Sequence, residues 1–429
     1  MSYFSRLGSS LPFGRPRRHT TVPPIPMPMP MPMPPHVSEF DVQPSRTEED
    51  DFFIPADDDD DEVGAEPETG AGAGAGAGGQ TIFSGGREEE RHDTRSDDPD
   101  PDEPVIPNSL LRLRPYRFRP SKQSWKHAIT SGLKEKGRDV DYNQDWDYER
   151  RKPPCSAVKI LTWNIDMMSA SHEQRLNAAL RHIQMDVLKC GKEMDQAPDP
   201  PCIIMLQEVR DTMLPRLLAD EWVRKWFCIV PITTEKWPED AQYGNITLVS
   251  RSLDIVDCQI LHFGLSSMQR TALCVRLRLT QVVSNDKYVL SFVNTHLESL
   301  EQGALARPKQ MEMCSRFLRL RDVHGGVIAG DMNTISQEDQ SLGKKVGLAD
   351  AWKGGNEEGH TWGYQGGNEG GKYPPGRLDR IYYLPGKGYK VDEPKKIGVG
   401  VKVREGGWVS DHYGLETVLH ILKPRSNSA

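Results

Sequence analysis

The sequence predicts an α+β domain, in which helices cover layers of β-sheet, preceded by a long disordered N-terminal tail. Two observations predict the domain: short apolar runs typical of strands recur from Cys155 onward, and stretches between them repeat apolar residues at helical spacing. The low-complexity composition of the first 110 residues predicts the tail. The roughly 265 residues that follow Cys155 suffice for a sizeable core.

The tail, residues 1–110, is acidic and repetitive. It holds 8 Lys/Arg against 23 Asp/Glu, whereas the remaining residues hold 46 against 39. A Met-Pro alternation, the run Asp57–Asp61 and an Ala-Gly alternation bury too little apolar surface to offset the entropy of ordering. We therefore expect a disordered tail, and a mildly basic body that is the part suited to a polyanion.

Residues 111–154 form a basic segment that leads into the domain. Six cations alternate there with three aromatic residues, namely Arg112, Arg114, Arg117, Arg119, Lys122 and Lys126 with Tyr116, Phe118 and Trp125. Such interleaving suits phosphate neutralisation and base stacking on a nucleic-acid strand. A strap that packs its aromatic side chains on the domain is the alternative, and we favour the strap.

The domain itself, residues 155–424, is predicted from seven apolar runs and two periodic stretches. The runs are Ala157–Trp163, Cys202–Leu206, Asn245–Ser250, Leu273–Leu279, Tyr288–Asn294, Gly326–Ala329 and Arg380–Leu384. The stretches at helical spacing are Leu176, Ala179, Leu180, Ile183 and Val187, and then Met311, Cys314, Phe317 and Leu318. We expect a strand at each run and a helix at each stretch.

Cysteine usage and hydropathy indicate a soluble intracellular protein. The seven cysteines are scattered, without a Cys-x-x-Cys pair or a Cys-His zinc spacing, and no apolar run approaches the ~20 residues of a membrane span. The basic run from Arg15 to His19 is typical of a nuclear signal. The Arg-rich, acid-free start also fits a mitochondrial transit peptide, so we expect the nucleus, with the mitochondrion or the cytoplasm as alternatives.

Polar side chains follow the apolar runs at the points where strands should end. The clusters are Asn164 with Asp166, Gln207 with Glu208, His296 in Thr-His-Leu-Glu-Ser, Asp331 with Asn333, and Asp411 with His412. One such cluster is weak evidence, because solvated loops commonly carry these residues. Five of them at strand ends indicate a site, since loops at strand ends gather functional side chains on a rigid scaffold.

The residue types in these clusters indicate metal-dependent phosphoryl chemistry. Carboxylate and amide oxygens are the hard ligands that Mg²⁺ and Mn²⁺ prefer. A carboxylate can take a proton from water, and imidazole and amide groups can brace a phosphoryl oxyanion. Because the sequence carries no Ser or Cys nucleophile motif, a hydrolase that activates water is the class we expect.

The ordered motifs resemble the endonuclease/exonuclease/phosphatase superfamily. They are Thr-Trp-Asn-Ile-Asp at 162–166, Gln-Glu at 207–208, Thr-His-Leu-Glu-Ser at 295–299, Gly-Asp-Met-Asn at 330–333, Leu-Asp-Arg-Ile at 378–381 and Ser-Asp-His at 410–412. The first and third together are similar to the 5′-tyrosyl-DNA phosphodiesterases, which release a topoisomerase II tyrosine from a DNA 5′-phosphate. The resemblance implies a four-layer α/β/β/α sandwich of two mixed sheets flanked by helices, and Mg²⁺, with Mn²⁺ as a substitute.

The resemblance also implies roles for individual residues. Glu208 would be the principal metal ligand, assisted by Asp166, and Asp411 would lie near the metal or fix a histidine ring. Asp331 would orient or deprotonate the attacking water, and Asn333 would hold that water or the phosphate. His412 would steady charge on the phosphoryl oxygens. The phosphate cradle would be completed by Asn164 and His296.

Substrate contacts are expected from four further positions. Trp362 would lie near a DNA end, with a place in the core as the alternative, and Ser299 closes the Thr-His-Leu-Glu-Ser motif. Arg307 would touch the DNA backbone or be solvated. Arg377 lies in the strand before the last motif. In that strand, Asp379 and Arg380 would form an ion pair, or Arg380 would contact phosphate.

Three departures from the family pattern leave the substrate open. Ile335 replaces the arginine that would grip DNA, Gly363 replaces the aspartate of Thr-Trp-Asp, and Tyr413 replaces the tryptophan after Ser-Asp-His. The leading hypothesis is a monomeric phosphodiesterase that acts on 5′-tyrosyl or 5′-peptidyl DNA ends. The alternatives are an abasic-site endonuclease, a 3′-exonuclease, an RNA deadenylase, and a DNA-end-binding module that does not hydrolyse its ligand.

Overall fold

The fold is described from a computed structural model of the chain. It covers residues 108–132 and 154–422, apart from residues 194, 283, 369, 370, 372, 387 and 405. The acidic tail lies outside the described residues except for positions 108–110, and the run Asp57–Asp61 lies outside them entirely.

Sixteen strands form two mixed sheets in the described part of the chain. In chain order the strands are β1 (Ser109–Leu113), β2 (Tyr116–Arg119), β3 (Ser124–His127), β4 (Ala157–Asn164), β5 (Cys202–Arg210), β6 (Phe227–Val230), β7 (Tyr243–Ser250), β8 (Asp254–His262), β9 (Thr271–Thr280), β10 (Lys287–His296), β11 (Gly326–Asp331), β12 (Ala349–Asp350), β13 (Asp379–Tyr383), β14 (Tyr389–Val391), β15 (Lys395–Ile397) and β16 (Gly414–Ile421). One sheet has the order β1-β8-β9-β10-β11-β13-β12. The other has the order β14-β16-β4-β5-β7-β6-β2-β3, with β15 also paired to β16.

Five α-helices accompany the sheets among the described residues. They are α1 (His172–His182), α2 (Leu214–Ala219), α3 (Glu221–Trp226), α4 (Ala306–Arg316) and α5 (Leu342–Lys345). A π-helical turn, Ile183–Val187, continues α1. Both predicted helices are therefore present, and each of the seven predicted strands lies within an observed strand or one residue beyond its end.

Three apolar clusters explain the stacking of layers. Strands of both sheets contribute side chains to the central cluster, among them Ile160, Met205, Val275, Phe292 and Val327. The outer face of the β4–β5–β7 region packs against α1, α2 and α3, and the outer face of the β9–β10–β11 region packs against α4. The predicted four-layer α/β/β/α sandwich is thus confirmed, because each sheet buries one face on the other sheet and one on helices.

The basic segment is built into both sheets. Strand β1 pairs antiparallel with β8, and β2 lies between β6 and β3. Phe118 is buried, and the indole Nε1 of Trp125 donates to the carbonyl oxygen of Leu218, at 3.2 Å. This part of the segment has the character of a packed strap, and its residues 133–153 lie outside the described part of the chain.

Two parallel strand pairs bring the predicted site together. Strand β4 runs parallel to β5, which sets Asn164 beside Gln207, and β10 runs parallel to β11, which sets His296 beside Asp331. Because parallel strands end at the same edge of a sheet, the polar residues at their carboxyl ends collect in one place.

The described helices are all too short or too polar to cross a membrane. All seven cysteines are free thiols, and all but Cys155 are buried.

Candidate active site

Asn164 joins two carboxylates at the centre of the site. Its Nδ2 donates to Glu208 Oε1 and to Asp331 Oδ2, each at 3.1 Å, and the side chain is buried at the end of β4. Its Oδ1 accepts from the backbone N–H of Asp166 at 3.0 Å. One amide therefore positions a carboxylate from each sheet.

Glu208 occupies an irregular position in β5. The pairing of β5 with β7 shifts register between Leu206 and Val209, and Glu208 has a φ of 57°. A bulge of this kind re-aims a side chain that a regular strand would direct elsewhere. Glu208 Oε2 accepts from the backbone N–H of Met167 at 2.8 Å, and the side chain keeps a 17% exposed surface through which a ligand can reach it.

Asp331 lies almost fully buried among groups that hold its carboxylate. The backbone N–H of Asn333 donates to its Oδ1 at 3.0 Å, and His296 Nε2 lies 3.3 Å from its Oδ2. Burial raises the pKa of Asp331 and Asp379 adds to the rise, while His412 and the hydrogen bonds from the Asn333 N–H and the Asn164 amide lower it. A carboxyl whose pKa is raised is a better proton acceptor than an ordinary aspartate.

Asn333 and Ser299 form the wall beside Asp331. The hydroxyl of Ser299 donates to Asn333 Oδ1 at 3.1 Å, and Asn333 Nδ2 donates to the carbonyl oxygen of Leu297 at 3.0 Å. Both side chains thus have defined orientations, and both predicted residues lie in the site.

His412 is held by a carboxylate on each side. Its Nδ1 lies 2.7 Å from Asp379 Oδ2, and its Nε2 lies 3.7 Å from Asp331 Oδ2 and 4.0 Å from Asp411 Oδ1. Burial by itself would lower the pKa of His412, but the charges of Asp379, Asp411 and Asp331 raise it well above the ordinary histidine value. The ring is therefore an imidazolium at neutral pH, with Nε2–H directed toward the carboxylates.

His296 has the opposite character. Arg270 Nη1 lies 2.8 Å from His296 Nδ1, and because a guanidinium only donates, Nδ1 accepts and the ring proton is on Nε2. Burial, with Arg270 and His412 nearby, lowers the pKa of His296 well below the ordinary value. His296 is therefore a neutral imidazole, and its Nε2–H lies beside Asp331 Oδ2.

Asp411 lies next to Trp362 at the outer side of the site. The Trp362 indole Nε1 donates to Asp411 Oδ2 at 3.0 Å. The pKa of Asp411 is raised to about 6: burial raises it most and the charges of Asp166 and Glu208 add to the rise, while His412 and the Trp362 hydrogen bond lower it. The charges of Asp166 and Glu208 thus act on Asp411 in this part of the site.

Asp166 is fully engaged within the protein. Its Oδ1 accepts from the backbone N–H groups of Met168 and Ser169, at 2.8 and 3.0 Å, and its Oδ2 accepts from Arg175 Nη1 at 3.0 Å. The backbone at Asp166 has a φ of 56°. The predicted assisting ligand therefore shapes the loop after β4 and adds negative charge beside Glu208.

The structure places two predicted substrate contacts inside the domain. Arg307 is 1% exposed and donates to Asp339 through Nε and Nη2, at 3.0 and 2.8 Å, so neither DNA nor solvent reaches its guanidinium. Arg377 pairs with Asp350 and is likewise buried. Both arginines hold loops of the domain in place.

The predicted alternatives for Asp379 and Arg380 also need correction. Neighbouring residues of a strand point to opposite faces, so Asp379 reaches His412 while Arg380 Nη1 pairs with Asp350 at 3.1 Å. Arg380 is 2% exposed, which leaves no surface for a phosphate.

The three departures lie at the rim of the site. Ile335 is 50% exposed, two residues beyond Asn333. Gly363 has a φ of +99°, and a Cβ there would lie 2.7 Å from Pro375 Cα, so a larger residue cannot take its place in this loop. Tyr413 follows His412, and its ring is parallel to that of Tyr364.

Three residues of the site were not predicted from the sequence. Asp379 was considered only for other roles, and its pairing with His412 depends on β13 lying beside β11, where Asp379 faces Asp331. Arg270 and Arg175 reach His296 and Asp166 from loops or helices with no motif of their own. The alternation of β13 was the one available signal, since it places Asp379 and Arg380 on opposite faces.

The donor set fits a divalent cation that prefers oxygen. Within the described residues, one group of three metal-binding side chains lies close together, Asp331, Asp379 and His412, but the hydrogen bond between Asp379 and His412 already uses two of its atoms. Glu208, with Asp411 nearby, is the better candidate. Burial raises the pKa of Asp411, and the charges of Asp166 and Glu208 add to the rise; Mg²⁺ or Mn²⁺ would favour the charged form of these carboxylates.

Comparison with known proteins identifies relatives. A profile of the Endonuclease/Exonuclease/phosphatase family matches residues 161–412. The chain is 25% identical over 275 residues to Tyrosyl-DNA phosphodiesterase 2 of Mus musculus, a match that covers 62% of this chain and 67% of that protein. It is 26% identical over 235 residues to 5′-tyrosyl-DNA phosphodiesterase of Caenorhabditis elegans, which covers 53% of this chain and 57% of that protein.

Solved structures of similar proteins also align with the chain. Truncated Caenorhabditis elegans TDP2 aligns with a TM-score of 0.48 at 24% identity, covering 62% of this chain and 98% of that one. D. rerio TDP2 complexed with single strand DNA product aligns with a TM-score of 0.48 at 20% identity, covering 62% of this chain and 99% of that one.

Proposed function

Because the chain belongs to the endonuclease/exonuclease/phosphatase family, we propose that it is a Mg²⁺-dependent phosphodiesterase that hydrolyses 5′-phosphotyrosyl bonds at DNA ends. One observation carries the reaction class. Asn164 holds Glu208 and Asp331 together, while an imidazolium, His412, lies 3.7 Å from Asp331. A phosphodiester is an anion, so this pairing of a proton acceptor with a fixed cation suits attack by water on phosphorus.

Glu208 would hold the metal, with Asp411 close to it. A bound Mg²⁺ supplies charge neutralisation at the phosphoryl and leaving oxygens. The carboxylate of Glu208 is presented by the hydrogen bonds from Asn164 and Met167, which leave its exposed edge toward the site.

Asp331 would orient the attacking water and accept its proton at Oδ2. Its raised pKa suits that role, and the Asn164 amide and the backbone N–H of Asn333 keep the carboxylate in one orientation. Asn333 would hold the water or a phosphate oxygen through its fixed amide.

His412 would stabilise the charge that develops on the phosphoryl oxygens. Its Nε2–H is the donor, and Asp379 on Nδ1 maintains both the orientation of the ring and its positive charge. A tyrosyl leaving group has a pKa near 10, so the departing phenolate needs little help from a general acid.

The substrate is proposed from the curated relatives, whose names specify tyrosyl-DNA. The proposal extends to repair of topoisomerase II–DNA adducts, which the motif resemblance implies, by a monomeric enzyme in the nucleus. The basic run that suggested this compartment lies outside the described residues.

The test uses the full-length chain with Mg²⁺ and end-labelled oligonucleotides. One carries a 5′-phosphotyrosine, one a 3′-phosphotyrosine and one an abasic site, and a fourth is a polyadenylated RNA. We expect selective release from the 5′-tyrosyl oligonucleotide, and loss of that activity in EDTA. Cleavage of another substrate alone would contradict the substrate proposal and keep the reaction class, whereas metal-independent release would contradict the mechanism.

Matched variants separate the chemistry from folding. Glu208→Gln and Asp331→Asn should each lower kcat by about a hundredfold or more while the melting temperature stays near that of the wild type or rises. The control is Asp254→Asn, which removes a carboxylate that pairs with Arg278 at the surface. Activity of Asp331→Asn close to that of the wild type would refute its assignment as the proton acceptor.

A further inference from the structure

A buried amide joins the two sheets close to the active site. Asn294 is fully buried on β10, and neighbouring side chains such as Phe292 and Met205 belong to the central apolar cluster. Within the described residues, every hydrogen bond of its side chain reaches β5 or β7, which belong to the opposite sheet. An amide in an apolar layer is costly unless its polar atoms are paired, so this pairing calls for a physical reason.

The amide binds the backbone of both facing strands. Asn294 Nδ2 donates to the carbonyl oxygens of Leu206 and Ile246, at 3.2 and 3.0 Å. Thr247 Oγ1 is a third acceptor, at 3.2 Å. At the other end of the amide, Oδ1 accepts from Gln207 Nε2 at 2.7 Å. The side chain therefore ties β10 to both β5 and β7.

The carbonyl oxygens lie where the ladder between β5 and β7 is interrupted. Leu206 pairs with Ile246, and pairing resumes at Val209 with Gly244, so two residues of β5 lie opposite one residue of β7. A bulge of this kind disrupts the ladder locally, and backbone groups beside it need other partners. Asn294 supplies a donor at this point from the opposite sheet.

The bulge is the feature that directs Glu208 into the site. Glu208 lies two residues after Leu206, whose carbonyl oxygen accepts from Asn294. His296 lies two residues after Asn294, so both face the opposite sheet, and His296 Nδ1 is 3.9 Å from Glu208 Oε1. The cross-sheet hydrogen bonds therefore hold β10 and β5 together directly behind the contact between His296 and Glu208.

The same network continues to a third strand of the site. Gln207 Nε2 also donates to Thr162 Oγ1 at 3.0 Å, and Thr162 lies two residues before Asn164 on β4. Gln207, Thr162 and Asn294 are all fully buried. Because hydrogen bonds in a low-dielectric core are strong, this polar layer fixes the spacing of the three strands that carry Asn164, Glu208 and His296.

We propose that Asn294 is a positioning residue for the metal ligand. Through the carbonyl oxygen of Leu206 it holds the bulge of β5, and with it Glu208, in the arrangement that binds a divalent cation. This inference rests on the proposed function, which takes Glu208 as the residue that holds the metal. Outer partners that orient metal ligands change the metal affinity by about 10–100-fold when they are removed.

The first test measures Mn²⁺ binding by the full-length protein without substrate. Electron paramagnetic resonance reports the free ion, and Glu208→Gln defines the binding that does not depend on the site. Asn294→Leu removes the donor and should weaken the Glu208-dependent binding about tenfold or more. Ser291→Ala is the matched control with unchanged Mn²⁺ binding, because it removes another buried hydrogen bond of β10, from Ser291 Oγ to the carbonyl oxygen of Phe317 at 2.7 Å.

The second test separates positioning from stability. Urea denaturation should show a lower free energy of unfolding for both Asn294→Leu and Ser291→Ala, because each variant leaves a buried carbonyl oxygen without its donor. On the 5′-tyrosyl oligonucleotide, Asn294→Leu should raise the Mg²⁺ concentration that gives half the maximal rate by about tenfold, with KM for the oligonucleotide unchanged at saturating Mg²⁺. Ser291→Ala should leave both quantities unchanged. A purely structural role would lower stability and leave the Mg²⁺ requirement at its wild-type value.

Asn294→Ser is the second variant, made because Asn294 is fully buried. Its side chain is too short to span both carbonyl oxygens, so it should weaken Mn²⁺ binding in the same direction. Mn²⁺ binding equal to that of the wild type in either folded variant overturns the inference, as does an equal loss in Ser291→Ala. Failure of both Asn294 variants to fold also overturns it, because the amide would then serve the fold itself.

The outcomes separate the two proposals. Wild-type protein that binds Mn²⁺ through Glu208 but releases no tyrosine contradicts the proposed function, while Mn²⁺ binding still tests Asn294. Tyrosine release by the wild type, together with undiminished Mn²⁺ binding in Asn294→Leu, overturns the inference alone. Wild-type protein that binds no more Mn²⁺ than Glu208→Gln overturns the inference together with the assignment of Glu208 as the metal ligand.

Discussion

His412 Nδ1 lies 2.7 Å from Asp379 Oδ2, and both side chains are buried. Strand β13 pairs antiparallel with β11 in a register that sets Asp379 opposite Asp331. The Asp379–His412 pair therefore lies beside Asp331, the proposed proton acceptor. His412 is therefore positive on one side of Asp331, whereas His296 is neutral on the other. The two histidines of the site thus differ in charge. Asp379 favours the charged form of His412, and Arg270 favours the neutral form of His296.

Asp379→Asn should lower activity about a hundredfold or more. The variant removes the charge that raises the pKa of His412, so the imidazolium is lost at a lower pH and the alkaline limb of kcat/KM moves to lower pH. The measurement is a pH–rate profile on the 5′-tyrosyl oligonucleotide. Asp392→Asn, at an exposed carboxylate paired with His420, is the control. An unchanged alkaline limb would show that Asp379 does not set the charge of His412.

Local patterns predicted the fold class and seven of the sixteen described strands. Strands such as β4 and β10 are continuous apolar runs because both of their faces are buried, and α1 and α4 show their apolar side at helical spacing. Strand β16 was missed because the polar residues Glu416, Thr417 and His420 interrupt its apolar residues, so that it contains no continuous apolar run. Strands β2 and β3 were hidden by their cations, although Arg117 is itself buried.

The site was predictable where function follows a strand end directly. Asn164, His296 and Asp331 each end a strand, and the parallel pairing collects them. Asp379 pairs with His412, 33 residues away along the chain, and Arg307 pairs with Asp339, 32 residues away. Such contacts follow from register and loop packing, which local periodicity does not encode.

Arg270→Met should raise the pKa of His296 and lower activity. Arg270 contributes to the low pKa of His296 and keeps its Nδ1 as an acceptor. Without it the ring can turn or change tautomer, and misplacing a positioned group costs about a hundredfold. The measurement is an NMR pH titration of the histidine rings together with kcat. Arg278→Met, whose partner Asp254 lies at the surface, is the control, and a His296 pKa equal to the wild-type value would contradict the assignment.

Arg307→Met should reduce the free energy of unfolding by about 3–5 kcal/mol, because it leaves Asp339 buried without its partner. The measurement is urea denaturation. The double variant Arg307→Met/Asp339→Leu should recover much of the loss, since it removes the unpaired charge. Arg316→Met, on the exposed face of the same helix, should change stability by less than about 1 kcal/mol. A small loss of stability with a large rise in KM would restore a substrate contact to Arg307.

Asp411→Asn should stabilise the metal-free protein at neutral pH. The folded pKa of Asp411 is about 6, above the ordinary value near 3.9, so the folded state binds the proton more tightly than the unfolded state. Stability from this group is therefore present at low pH and lost as the pH rises from about 4 to about 6. The neutral amide avoids that loss, which amounts to about 2–3 kcal/mol.

The measurement for Asp411→Asn is thermal and urea unfolding in EDTA at about pH 4 and about pH 7.5. We expect the gain at the higher pH alone, and we expect excess Mg²⁺ to reduce it, because the cation would stabilise the wild-type carboxylates. Asp392→Asn is the control of opposite sign, since the pKa of Asp392 is lowered by Lys390 and His420, which outweigh its slight burial. An equal gain for Asp411→Asn at both pH values would mean that packing, and not the ionisation of Asp411, limits the stability of this side of the site.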